Sequence, residues 1–357
     1  MQKDLDVMVA KNHCTYLWYS IKASILQTNI YTHHWFYNRF INVVSYNAYS
    51  APWPTLHHWL KLDYVEHNEP EKTYHDLLDF YSYNSNSIRS FDIVQFVKGC
   101  IYEYKYVQLE VDEYYVYAKD NYYKEHFAHP ILIYGFDEES ALFHCIGFGK
   151  NNVFMKFTMT RLELYESAYS AAEMIGGTAR TNPDYDVAAV TIVRKDSTVP
   201  PFDRELFYHS LDQFIYSDAD HHYMWLMSQD NGLNICGYGV EALKNVPQCI
   251  RQKKYEDLNI AYLDFIFLQE RNLGLYNRMK WYLKAFGIAN LETDDMMNRY
   301  KKLTKDYRRF HFLILKEYAA ARDFFVTNSP KRFEIADMLD QLIIEEQFIL
   351  DGLRHNL

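Results

Sequence analysis

A chain of 357 residues with 49% hydrophobic side chains is long enough for two domains, or for one domain with a large extension, around a sizeable core. Its formal net charge of −10 excludes a general nucleic-acid binder, which would be basic, and otherwise indicates little beyond solubility. The five cysteines (Cys14, Cys100, Cys145, Cys236 and Cys249) are odd in number and widely spaced, with no CxxC pair and no zinc-ligand spacing, so they read as reduced thiols rather than a disulfide framework. The opening MQKDLDVMVAKNHC carries acids and lacks an apolar signal core, and no run of about 18 apolar residues is present to span a membrane, so the expectation is a soluble, cytoplasmic protein. The 33 tyrosines suit half-buried interfaces and phenol-lined clefts without naming a ligand.

In chain order, a short strand is expected at Asp6–Val9. Residues 14–28, CTYLWYSIKASILQT, have the spacing of a helix, with Leu17, Ile21, Ser24 or Ile25, and Thr28 on one face and Asn12 as its cap. Residues 29–50 read as a strand or extended segment, broken by Ala51-Pro52-Trp53-Pro54. Glu71–Tyr83 and Ile88–Gly99 read as helices, and Tyr102–Leu109 and Glu110–Tyr117 alternate as strands. His126 to Phe148, HFAHPILIYGFDEESALFHCIGF, is the clearest element: a β-hairpin of Pro130–Tyr134, a polar turn from Gly135 to Ser140, and a return strand from Ala141 to Ile146. A further strand at Asn152–Thr158, a helix at Met159–Ala172 and a strand at Asp186–Lys195 follow. The double proline of Thr198-Val199-Pro200-Pro201 cannot lie inside a helix and marks a boundary between domains at 1–197 and 198–357. Beyond it the pattern is helical: Asp203–Tyr216, Val240–Arg251, Tyr255–Phe286, Leu291–Val326 and Pro330–Leu353. The expected fold class is α+β with an all-helical C-terminal domain.

Two residues stand out for chemistry. Cys14 opens the first helical pattern, where the dipole and free N–H groups of a first turn stabilise a thiolate. Its bland alternative is a small buried hydrophobe. His129 stands at the mouth of the hairpin's first strand, a rigid place for a general base, with His126 as its local rival. Cys100 and Cys145 sit in apolar surroundings that make a thiol inert. Adjacent histidines (His33-His34, His57-His58, His221-His222) point apart and make poor chelates, so no metal is expected. No glycine-rich phosphate loop or dinucleotide fingerprint is present, which disfavours an ATP-dependent ligase. Arg299, Lys301, Lys302, Lys305, Arg308 and Arg309 form a basic cluster in an acidic chain: a solvated helix face, or a docking patch for an acidic partner.

The cysteine opening an N-terminal helix, the segment Val111-Asp112-Glu113-Tyr114-Tyr115 and the hairpin His126-Phe127-Ala128-His129-Pro130-Ile131-Leu132-Ile133-Tyr134-Gly135-Phe136-Asp137 together resemble the papain-like fold in its bacterial form. Bacteriocin-processing cysteine peptidases share that fold, as do amide-forming acyltransferases of natural-product pathways such as those of butirosin and closthioamide biosynthesis; the resemblance is nearer the second group and covers roughly residues 1–195. It implies a papain-like half-barrel of antiparallel strands with an N-terminal helix. It also implies Cys14 as nucleophile and His129 as base, with a carrier-protein thioester as acyl donor, a small-molecule amine as acceptor, and no cofactor of the enzyme's own. An Asp or Asn on the return strand usually orients the histidine in the family. Here that place falls near Gly147 and Phe148, whose side chains cannot accept a hydrogen bond, and Asp137 sits at the turn, so Asp112 on the preceding strand is the expected substitute. The oxyanion glutamine of the peptidases is replaced by the region of Met8 and Val9, leaving Asn12 or the N–H of Cys14 for that task. Arg299, Lys302, Lys305 and Arg309 would dock the carrier. A cysteine peptidase, or a non-catalytic binder of a peptide or carrier, are the alternatives.

Overall fold

The structure, a computed structural model, describes residues 2–10, 15–48, 59–65, 73–179, 186–195, 199–218, 234–252, 258–288, 290–320 and 330–357. It divides into two compact units, residues 1–33 with 69–200 and residues 34–68 with 201–357. One junction lies between Pro200 and Pro201, but the second unit also takes in residues 34–68, so the chain passes between the units more than once.

The first unit is built on an antiparallel sheet. Its strands are β1 (Gln2–Asp4), β4 (Leu78–Tyr83), β5 (Lys105–Asp112), β6 (Ala128–Asp137), β7 (Leu142–Phe148), β8 (Phe154–Thr160) and β9 (Ala189–Arg194), in the order β4-β9-β5-β6-β7-β8. β5 pairs with the first half of β6, and β1 with its second half. Every residue of β6 from Ile131 to Phe136 is buried. Since successive side chains alternate between faces, the sheet is covered on both sides here. Helices α1 (Leu17–Leu26), α4 (Ile93–Tyr102) and α5 (Arg161–Ala179) pack against it. The described side chains of α1 are buried on all its faces, and its polar ones are satisfied locally or by the sheet: Ser20 and Ser24 bond back to the carbonyls of Tyr16 and Ser20, and Lys22 reaches Gln108. Gly135 is required where β1 approaches: a Cβ there would stand 1.9 Å from Oδ1 of Asp4.

Several sequence expectations give way to tertiary pairing. The helix expected over Glu71–Tyr83 is instead β4 in its second half, because Leu78–Tyr83 finds a full antiparallel partner in β9. The two strands expected between Tyr102 and Tyr117 are one strand, β5, closed by a 3-10 turn at Glu113–Tyr115. The helix expected over Ile88–Gly99 is split into α3 (Ser85–Ser90) and α4, since Asp92 caps the second with bonds to the N–H groups of Val94 and Gln95. Asp6–Val9 is not a strand; the pairing segment is β1. The hairpin stands as β6 and β7.

The second unit is not all helical. It contains a three-stranded antiparallel sheet, β10-β2-β3, from β2 (Val43–Ala48), β3 (Trp59–Tyr64) and β10 (Asn234–Tyr238). Helix α2 (Thr32–Tyr37) leads in sequence to β2, in place of the extended segment expected there. The helices α6 (Arg204–Tyr216), α7 (Gly239–Arg251), α8 (Leu258–Ala285), α9 (Leu291–Ala320) and α10 (Pro330–Arg354) follow the expected order. α7 packs on β10 and β2, and α8 on β3. Gly239, with φ +56°, lets α7 start directly from β10 against the Phe214 carbonyl; a Cβ there would meet that oxygen at 2.4 Å. No helix among the described residues is long and apolar enough to cross a membrane.

Candidate functional site

The site forms where β5 ends and β6 begins. The ladder of β6 with β7 ends at Leu132↔Ile146, while β5 stays paired with β6 as far as Asp112↔Ala128. That leaves room for Pro130, which has no N–H to give to a ladder. Between the two strands, residues 113–127 form a tyrosine-rich loop clamped at both ends by Asp112: its Oδ1 accepts from the N–H of Tyr114 and of Phe127, both at 3.1 Å.

Two histidine–carboxylate pairs sit on this clamp. Nδ1 of His129 is 2.8 Å from Oε1 of Glu113. An ionised carboxylate only accepts, so Nδ1 carries the proton and Nε2 of a neutral ring is left as the basic nitrogen. The His129 side chain is 29% exposed and that of Glu113 8%. The ammonium of Lys119, 1% exposed, lies 3.2 Å from the same Glu113 oxygen, and Asn121 Nδ2 donates to Oε2 at 2.9 Å. Among the described residues the Lys119 ammonium finds no well-aligned acceptor, so the contact is an ion pair rather than a hydrogen bond. Burial alone would raise the Glu113 carboxyl, but the His129 bond and the Lys119 charge outweigh it and hold the carboxyl below its ordinary value. Burial also holds the Lys119 ammonium below its usual pKa, with Glu113 opposing.

The second pair lies one residue back. Nδ1 of His126 is 2.6 Å from Oδ2 of Asp112, and Ser170 Oγ donates to the same oxygen at 2.6 Å. Asp112 is fully buried, while His126 is 54% exposed and stacks on Tyr114 at 4.2 Å between ring centroids. Burial pulls the Asp112 carboxyl up, but His126, Ser170 and the two backbone N–H groups leave it below the ordinary range.

The expected partnership of Asp112 with His129 is therefore not the one found. The alternation of β5 sends Asp112 and Glu113 different ways, and it is Glu113, at the start of the 3-10 turn, that reaches His129. Sequence reasoning passed over Glu113, Lys119 and Ser170. The available signal was the tandem Asp112-Glu113 facing two histidines three apart, His126 and His129: two acids for two bases. The place across from His129 is indeed filled by Phe148, whose ring lies nearly parallel at 6.3 Å, and Asp137 is spent on the turn through Glu139 N and Ser140 Oγ.

Cys14 and Asn12 lie outside the described residues. α1 begins at Leu17 with Thr15 and Tyr16 non-helical before it, so it does not start at Cys14 as expected. Of the rival thiols, burial pushes Cys100 up to about 11 and holds Cys145 still further above the ordinary thiol value, so neither offers thiolate near neutrality. Of the proposed docking cations, Arg299 forks onto Glu345 at 2.8 Å and Arg309 donates one bond to Asp306 at 2.9 Å; Lys302 and Lys305 are exposed. Among the described residues no group of three or more His, Cys, Asp or Glu side chains could hold a metal ion; His57-His58 and His221-His222 lie outside them. Comparison with known proteins finds no family model that matches the chain and no curated protein that matches it.

Proposed function

We propose that the first unit is a papain-like cysteine acyltransferase that makes an amide from a carrier-bound acyl thioester and a small amine. The observation that carries the reading is His129 held through Nδ1 by the buried, ionised Glu113, which leaves Nε2 as an oriented base in a partly open position. The resemblance of the Val111–Tyr115 and His126–Asp137 segments supplies the reaction class and names Cys14 as its nucleophile. Nε2 takes the Cys14 proton, the thiolate attacks the thioester carbonyl, and the carbon–sulfur bond to the carrier's pantetheine breaks. The departing thiolate leaves with the proton from His129. The amine then attacks the acyl-enzyme, the bond to Cys14 breaks, and an N–H proton of the amine passes by way of His129 to the cysteine sulfur, which restores the thiol. A thioester is already activated, so no nucleotide is consumed. The reaction suits the reducing cytoplasm, where a free thiol persists. Lys302 and Lys305 remain to meet an acidic carrier.

Intact-mass spectrometry of the protein with a panel of acyl N-acetylcysteamine thioesters and acylated carriers tests this reading. An adduct of one acyl group, absent from Cys14→Ala and His129→Gln, is expected. No adduct with any donor, together with no labelling of Cys14 by a thiol-directed probe, would leave a non-catalytic binder. Labelling of Cys14 without acylation would favour a peptidase.

A further inference from the structure

The proposed reaction uses one histidine, yet the strand end carries two, each held by its own carboxylate. His126 has the better-built support. Its acceptor, Asp112, is fully buried and takes four hydrogen bonds: from His126, Ser170, and the N–H groups of Tyr114 and Phe127. The imidazole is gripped at Nδ1 and stacked on Tyr114, and Nε2 has no partner among the described residues. This grip fixes tautomer and orientation together, as a proton-transfer residue requires. A histidine that only closed the loop would not need it, because Asp112 already clamps both ends of the loop through backbone N–H groups.

The pair also borders a cleft. Arg89, Tyr115, Glu166, Tyr169, Ser170 and Glu173 line a space of about 500 Å³ between α3 and α5. Ser170 joins the cleft directly to Asp112, and the Tyr115 ring lies 5.9 Å from the ring of His126. A volume of this size holds a small molecule but not a protein partner.

We infer that this cleft seats the acceptor amine and that His126, held by Asp112, takes its proton. The inference rests on the acyl-transfer reading above and extends it by dividing the two proton transfers between two histidines carried on adjacent acids. At neutral pH an aliphatic amine arrives as ammonium and cannot attack. Loss of one N–H proton to Nε2 of His126 gives the free amine and an imidazolium, whose charge Asp112 balances. As the free amine attacks and the bond to Cys14 breaks, its second N–H proton passes by way of His129 to the departing Cys14 sulfur; His129 thus serves the sulfur leaving groups and His126 the ammonium.

The test uses the full-length protein, the acyl thioester that labels wild-type Cys14, and two acceptors: 1-aminobutane, almost wholly ammonium at pH 7, and hydroxylamine, largely unprotonated there. His126→Gln is expected to become acylated within about twofold of the wild-type rate. Its transfer to 1-aminobutane should fall by about 10²-fold or more, the usual worth of a positioned base, while transfer to hydroxylamine stays close to wild type. Ser170→Ala, which leaves the histidine in place but loosens Asp112, should show the same split in weaker form. Equal transfer of both acceptors by His126→Gln and wild type overturns the inference and leaves the acyl-transfer reading standing. Equal loss of both acceptors, or of acylation itself, overturns it in favour of a structural role. Failure of the wild type to acylate at all removes the reading and the inference together.

Discussion

Oε1 of Glu113 is shared: Nδ1 of His129 lies 2.8 Å from it, and the ammonium of Lys119 lies 3.2 Å from it. The lysine is nearly sealed from solvent, so its charge is weakly screened and falls mainly on that carboxylate. The arrangement keeps the acid ionised in a buried place where it would otherwise tend to hold a proton.

Acylation of Cys14 should therefore respond to residues that never touch substrate. Glu113→Gln keeps the shape but can turn an NH₂ toward His129, favouring the wrong tautomer. Its acylation rate should fall by roughly 10²-fold, within the range given by losing a well-poised base. Lys119→Met should cost less and should shift the pH dependence of the rate upward, because Glu113 then titrates at higher pH. Stopped-time intact-mass measurements across pH supply both numbers. A Glu113→Gln rate indistinguishable from wild type would remove the carboxylate from the mechanism.

Asp112 should matter first to stability. Replacing it by Ala strands the N–H groups of Tyr114 and Phe127 and the Ser170 hydroxyl, each worth about 1–3 kcal/mol if left unsatisfied in a buried place. Its folded pKa lies below its unfolded one, so its stabilising contribution is complete above the ordinary carboxylate value of about 4 and is lost as pH falls through the depressed value. Glu113 acts with the same sign. Urea unfolding at pH 7 and pH 3 should show Asp112→Asn closing much of its gap to wild type at the lower pH. A gap that is constant with pH would mean that the carboxylate's charge is not what holds the loop.

How far the sequence disclosed this site follows from the range of the forces involved. The hairpin was legible because a run such as Ile131-Leu132-Ile133 between turn residues is a local signal, and both strands form there, although β6 runs on through Gly135–Asp137, the first half of the expected turn, where β1 pairs with it. The C-terminal helices α6 to α10 were legible for the same reason, from periodicity and from caps such as Asp203, which accepts from Leu206 N. β4 was not, since a segment with Asp79 and Ser82 becomes a strand only when β9, more than a hundred residues later, is there to pair with it. The choice between Asp112 and Glu113 as partner of His129 was likewise out of reach, because it depends on a 3-10 turn that redirects one side chain at a strand end. The small sheet of the second unit joins residues 43–64 to 234–238, and no local pattern announces a pairing over that separation.

Glu110 gives a test with the opposite sign. Part of its surface stays open, yet it is densely surrounded, and burial pushes its carboxyl up to about 8 against the lowering charges of Lys119 and Lys22. Between an unfolded value of about 4.3 and the folded value the native state binds more protons than the unfolded state, so stability declines as pH rises through that window. Glu110→Gln should remove the decline: melting temperatures of variant and wild type should lie close at pH 4.5 and separate by pH 8.5, with the variant higher. Parallel curves would show that solvent reaches Glu110 well enough to charge it freely.

The second unit offers two Arg–Glu pairs whose contrast separates burial from contact. Arg271 meets Glu346 with both side chains 1% exposed, and Glu346 also accepts from Asn272 Nδ2 at 2.8 Å, Tyr300 Oη at 2.9 Å and Tyr307 Oη at 3.0 Å. The guanidinium lies over Phe214, 4.7 Å from the ring centre. Arg299, on α9, meets Glu345, the residue before Glu346 on α10, at 2.8 Å, but both are more than a third exposed. Geometry alone would rank the two pairs alike. Solvation does not: the exposed pair should contribute about 0–1 kcal/mol, since water serves either charge once the partner is gone. Glu346→Leu leaves Arg271 charged and dry among groups that lose their common acceptor, and should cost about 3–5 kcal/mol. Adding Arg271→Met to it should recover much of that loss, because two apolar side chains need no partner there. Denaturant unfolding of Glu346→Leu, of Glu345→Ala and of the Glu346→Leu/Arg271→Met double variant measures these terms. A Glu346→Leu cost as small as that of Glu345→Ala would mean that water enters the bundle core and that the pair is not buried in solution.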